Sequence, residues 1–315
     1  MCTTEDNGPM TTLDRATASD DGDLSATELA EVCETLILAW DEDASRSRGG
    51  AASRSASDLD ASSIRASFPQ SLPHNLEYAH GQMAGQMVSV IMLQLQSVVT
   101  LLRAEPMISL GVWPLVRSEI EYAGRVAWLL EPFPGANVGR LRVARGMLEH
   151  LAALQRQRFT ASKWNKPRAK QFKAKRDELL GRARGLFDDI HTPMEAPQQI
   201  DEWRLDTERM FSLGKSVSLF VEHLSNGAAL YDVLSDNSHP SVIALAFQSS
   251  LSDVDGVTST TYPAIPRVIN FQVRLGCLTA YKSAQLILGY HGFPTDSIDK
   301  WAADAPSLWF GASTT

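Results

Sequence analysis

The chain has 315 residues, 44% hydrophobic and 21% charged, with a formal net charge of −8 at pH 7. That is enough apolar material for one well-buried domain with tails. Its three cysteines (Cys2, Cys33 and Cys277) lie far apart with no CxxC pair, which excludes a disulfide framework or zinc site and fits reduced thiols in the cytoplasm.

The N-terminus is acidic and lacks the apolar core of a signal peptide. Residues 1–43 hold twelve acids against the single cation Arg15. Within them, residues 1–25 are small, polar and turn-rich, the composition of a disordered acidic tail. A short amphipathic helix is expected over 26–40, opened by Ser25 and Glu28 as a capping box. Residues 41–70 contain DEDASRSRGGAASRSASD and read as a flexible linker.

From 71 to 315 the apolar spacing is helical almost throughout. It predicts helices over about 74–103, 108–131, 138–160, 167–187, 200–224, 227–236, 241–250 and 264–290, then a short one near 295–303. The fold class is all-α: a single helical bundle carrying a basic αα-hairpin over 138–187. No strand alternation stands out, and Val254–Tyr262, rich in Ser, Thr and Asp, reads as a loop.

Gly81–Leu102 has no charged residue, yet it carries Gln82, Gln86, Ser89, Gln94, Gln96, Ser97 and Thr100, most of which share one side. A core helix fits that pattern better than a membrane span, and no membrane partner is expected. In 108–131, Pro114 suits the start and Pro132 the stop. Trp113, Val116, Ile120, Ala123, Ala127 and Leu130 line one face, while Leu115, Tyr122, Val126 and Leu129 add a second strip, so this helix should be covered on more than one side. Arg117, Glu121 and Arg125 at i,i+4 form a charged ladder, expected to be solvated. Glu119 differs, because its helical neighbours are Leu115, Val116, Tyr122 and Ala123. A carboxylate there must be paired, hydrogen-bonded or protonated.

Residues 140–184 hold fourteen Lys and Arg against Glu149, Asp177 and Glu178. Leu141, Ala144, Leu148 and Leu151 make one apolar stripe of this hairpin, and Phe172, Leu179 and Leu186 the other. A solvated arm is the simple reading. The sharper one is a polyanion surface made by Arg156, Arg158, Lys163, Lys166, Arg168, Lys170, Lys173, Lys175 and Arg176. The acidic tail folding back onto this arm is a further expectation.

Chemistry signatures are sparse. Glu77 and His80 make one Glu-x-x-His pair, whereas a di-iron bundle needs two. No HExxH, phosphate loop or GxSxG occurs, so no metal or cofactor is expected. In Tyr231–Ser241, Pro240 disfavours helix at His239 and sets that side chain at a helix junction. Its plain role is to bond neighbouring backbone. Its sharper role is to meet Glu119, with Tyr231, Ser235 or Arg117 completing a cluster for proton transfer or a small-molecule pocket.

The stretches Arg117-Ser-Glu119, Trp128-Leu-Leu-Glu-Pro132 and Tyr231-x-x-Leu-Ser235-x-x-x-His239 resemble those of uncharacterised all-helical bacterial proteins, remotely similar to the HEPN superfamily. That resemblance spans about residues 75–290. It implies a metal-independent ribonuclease of defence or toxin–antitoxin systems, with an Arg-x(4–6)-His motif. The clean match is Arg145-Gly-Met-Leu-Glu-His150, with Gly146 standing where a polar residue is usual, and both residues are expected on the surface of a basic helix. The reading that emerges is a non-catalytic helical module, engaging nucleic acid or an acidic protein through 140–184, or a second copy as a homodimer.

Overall fold

Helix α1 (Ala26–Arg46) opens on the capping box: Ser25 N donates to Glu28 Oε2 at 2.7 Å and Glu28 N to Ser25 Oγ at 3.3 Å. Just before it, Leu24 and the Asn270 amide exchange two 2.8 Å hydrogen bonds, so residues 24–25 are anchored and do not belong to a free tail. The computed structural model describes residues 23–46, 51–68, 79–131, 138–193, 197–224, 250–254, 257–261 and 265–305. Residues 1–22, most of the expected acidic tail, lie outside these.

The expected linker is partly helical. α1 runs on to Arg46, and α2 occupies Ala56–Ser67. Ser55 Oγ accepts from Asp58 N at 3.2 Å to start α2, and Ile64 buries fully. Composition alone hid this, since serine serves caps as readily as linkers.

α3 (Ala79–Leu102), α4 (Val112–Leu130), α5 (Val138–Ser162) and α6 (Lys166–Arg184) follow close to the expected bounds. α4 is the central element, packed on α3, on α7 (Leu213–Val221) and on α8 (Pro266–His291). A Cβ on Gly124 would sit 2.7 Å from the backbone of Ser216 and Val217, so α4 and α7 cross at a distance only glycine permits. α3 is long and apolar enough to cross a membrane, and in this structure Ala84, Val88, Ile91, Leu95 and Val98 face the core. Gln82, Gln86, Ser89, Gln96, Ser97 and Thr100 form its exposed side. The whole packs as one mostly helical body.

The expected helix 200–224 is replaced by a 3-10 turn (Pro197–Glu202), two short strands, β2 (Arg204–Leu205) and β3 (Glu208–Arg209), and the short helix α7; β2 pairs antiparallel with β3 and with β1 (Ile190–His191), which lies ahead of the turn. Two-residue strands are too short to alternate, so no pattern announced them. Val254–Tyr262 is not a loop throughout: β4 (Ser250–Val254) pairs antiparallel with β5 (Val257–Thr261). Of the expected helices 227–236 and 241–250, only Ser250 falls among the described residues.

α8 ends at Gly292 in the left-handed region (φ 68°), and α9 (Asp296–Asp304) follows. The buried Asp43 of α1 caps α9, accepting from Ser297 N at 3.1 Å and Ile298 N at 3.0 Å.

Candidate functional site

The α5–α6 hairpin divides into two halves by what its cations touch. In the inner half, Arg142 and Arg145 stand one turn apart on α5 and reach back to the C-terminal end of α4. Arg142 donates to the Leu129 and Leu130 carbonyls (2.7 and 3.1 Å), and Arg145 to those of Trp128 and, at 3.4 Å, Glu131. Those carbonyls have no partner within their own helix, and a cation there also meets the negative end of the helix dipole. Each arginine also holds a buried carboxylate: Asp60 at 2.6 Å for Arg142 and Glu208 at 2.8 Å for Arg145. Arg145 is thus buried, against its expected surface position, while His150 is exposed.

Arg176 is a second correction. It is buried, donating to Gln155 Oε1 at 2.6 Å and to Asp177, and leaves the expected polyanion surface.

The outer half behaves differently. Asn165 Oδ1 caps α6 by accepting from Arg168 N at 3.0 Å, which sets a tight turn at the tip. Phe159 and Trp164 are exposed there, 45% and 65%. Lys163 Nζ lies 4.8 Å from the Phe159 ring centre and the Arg168 guanidinium 5.6 Å from that of Phe172. Glu149, Asp177 and Glu178 are engaged by Arg156, Lys173, Arg176 and Arg182. Among the described residues, no carboxylate pairs with Arg158, Lys163, Lys166, Arg168, Lys170, Lys175 or Arg184. Cations and exposed rings alternate around one turn, the arrangement that holds phosphates and stacks bases.

The second predicted constellation is only partly described. Glu119 is fully buried, and among the described residues neither carboxylate oxygen has a hydrogen-bond partner. Burial raises its pKa well above the ordinary carboxylate range, which favours the protonated form. It faces Gly276 of α8 and lies near the Cys33 and Cys277 thiols, whose sulfurs are 3.5 Å apart. Arg117 is held by Glu121 at 3.0 Å, while Arg125 leaves the expected solvated ladder, turning inward to the Phe211 carbonyl at 2.8 Å. Tyr231, Ser235 and His239 lie outside the described residues, as does Glu77. Among the described residues no three His, Cys, Asp or Glu side chains converge as a metal site requires.

Sequence reasoning missed a buried polar network where α2, α3, α5 and α8 meet. Asp60 Oδ2 accepts from Arg142 and, at 2.9 Å, from the Tyr290 hydroxyl. With that proton given to Asp60, the 2.5 Å contact between His80 Nε2 and Tyr290 Oη has the imidazole as donor. His80 Nδ1 is buried with no hydrogen-bond partner among the described residues. Burial first, then Arg142, pushes the His80 pKa down to about 3, so its 3.9 Å approach to Asp60 is not an ion pair. Beside the network lies a cavity of about 580 Å³, walled by Trp40, Gly81, Gln82, His291 and Phe293. The one signal in the sequence was two arginines just after a helix stop, placed to turn back on its carbonyls. Comparison with protein-family models, curated proteins and solved structures finds no match for this chain.

Proposed function

We propose that this chain is a binding module that holds single-stranded nucleic acid on the outer half of the α5–α6 hairpin, without a chemical step. The observation that carries this reading is the set of five cations with no carboxylate partner among the described residues, Arg158, Lys163, Lys166, Arg168 and Lys170, which flank the exposed Phe159 and Trp164 along the chain at the hairpin tip. Lysine and arginine neutralise phosphates, and an exposed ring offers a stacking face to any base. A duplex hides its base faces, so single strands are the better substrate for such a surface. The buried free thiols Cys33 and Cys277 suit a reducing, cytoplasmic setting.

The test is fluorescence anisotropy with labelled oligo-uridylate across a salt series. Binding should weaken with salt, with a log–log slope of about −0.7 per neutralised phosphate. Replacing Lys163, Lys166 and Lys170 by Gln should flatten that slope by about 2. Trp164→Ala should cost about 1–3 kcal/mol of affinity. No binding even at about 50 mM salt, where phosphate contacts are strongest, overturns the reading. The RNA should emerge intact in the absence of metal; cleavage lost with His150→Ala would favour the HEPN-like ribonuclease instead.

A further inference from the structure

On the opposite charge side of the molecule, α1 and α9 enclose a groove of about 810 Å³. Its apolar surface is made by Val32, Leu38 and Trp301, and Leu38 is 65% exposed. Glu28, Glu31, Glu42, Asp296 and Asp304 line it, against Arg46 and Lys300. Both cations are already held, Arg46 by Glu42 and Lys300 by Asp304. The walls are fixed: Asp43 of α1 caps α9, and Trp301 Nε1 donates to the Val32 carbonyl at 3.1 Å. An apolar groove with an acidic rim calls for an occupant with apolar side chains and a basic collar.

The hairpin tip has that chemistry. Phe159 and Trp164 are its exposed apolar groups, and Lys163, Lys166 and Lys170 surround them. In the single chain neither surface covers the other, since Trp164 and Leu38 are both 65% exposed. We infer that the tip of one copy docks in the α1–α9 groove of a second copy. The contact is head-to-tail: each copy keeps a free tip or a free groove, so association continues past the dimer or closes into a ring. Salt weakens it, because the collar and the rim are solvent-exposed. The contact uses the same tip as the nucleic-acid reading but does not rest on it. If both hold, oligo-uridylate and the groove compete for the tip and nucleic acid dissolves the assembly.

Sedimentation velocity on the full chain tests this. At low salt the sedimentation coefficient should rise with protein concentration past the dimer value, and fall to that of the monomer in high salt. A groove variant (Glu31→Lys with Leu38→Lys) and a tip variant (Lys163→Glu with Trp164→Ala) should each be monomeric alone. Mixed in equal amounts they should form a 1:1 dimer and stop there, since only one tip and one groove remain. All four positions are exposed, and unchanged thermal midpoints confirm that both variants fold. The groove variant should bind oligo-uridylate within twofold of the parent chain. A parent chain that stays monomeric, association that survives either variant, or a mixture that fails to pair overturns the inference. Loss of oligo-uridylate binding with association intact removes only the earlier reading.

Discussion

The two halves of the α5–α6 hairpin are both rich in cations and have opposite physics. Inner arginines 142, 145 and 176 are buried, each guanidinium answered by carbonyls, carboxylates or the Gln155 amide oxygen. Outer residues Lys163, Lys166 and Lys170 are exposed with no carboxylate among the described residues. A count of basic residues therefore measures supply, and packing decides which charges face a partner. Arginine suits the inner role because its planar fork satisfies several acceptors at once, whereas lysine offers a hydrated point charge.

The largest effect that tests this division is Arg142→Ala. It leaves the buried Asp60 carboxylate with the Tyr290 hydroxyl and strips the Leu129 and Leu130 carbonyls of their donor. Breaking a buried pair in this way should cost roughly 3–5 kcal/mol, read as a lower urea midpoint. Arg142→Lys should recover little, since one ammonium cannot span the three acceptors. Unchanged stability with weakened nucleic-acid binding would invert the inner–outer assignment.

A second, smaller effect sets the answered acid against the unanswered one. Burial holds the Glu119 pKa of the folded chain above the 4.5 of the unfolded chain, so the group should subtract stability as pH rises from about 4.5 until the folded carboxyl itself ionises, by up to about 1.4 kcal/mol per unit. His80 acts in the other direction. Its folded pKa of about 3 against 6.5 unfolded means stability is lost as pH falls from 6.5 towards 3. Where the two windows overlap the slopes offset. Glu119→Leu should remove the decline that comes from this carboxyl and raise the urea midpoint. An unchanged urea midpoint in that variant would show that the burden lies elsewhere.

How much of this was legible in the sequence follows from the range of each interaction. Local signals were readable: the Ser25–Glu28 box, the four long helices α3 to α6, and the apolar surroundings of Glu119 within its own turn. Long-range ones were not. Arg142 looks like any solvent-facing residue of a basic helix until Asp60, 82 positions away, is seen against it. Asp60 itself lay in a Ser- and Arg-rich stretch whose composition suggested a linker, and only the cap at Ser55 and the buried Ile64 reveal a helix there. The β1–β3 sheet depends on pairing rather than propensity. Its β2–β3 turn carries Asp206 at φ 51°, whose carboxylate accepts from Asp188 N and Asp189 N. None of this is periodic, so hydrophobic spacing could not register it.

The smallest effect gives the finest discrimination, because it separates two neighbouring lysines of one helix. Lys173 is 55% exposed and bonds Asp177 at 2.9 Å one turn away, whereas Lys170 has no carboxylate partner among the described residues. Neither should matter to the fold: an exposed i,i+4 pair contributes about 0.3–0.5 kcal/mol, and an isolated surface lysine less. Lys173→Ala should thus lower the urea midpoint marginally and Lys170→Ala not at all. On oligo-uridylate the ranking should reverse, because Asp177 already screens Lys173 while the whole charge of Lys170 faces outward. Lys170→Ala should reduce the salt slope by nearly one phosphate's worth, about 0.7, and Lys173→Ala by a smaller fraction. Equal slopes for the two variants would mean that the surface acts as a diffuse positive field. The local pairing of each cation would then have no bearing on what the hairpin holds.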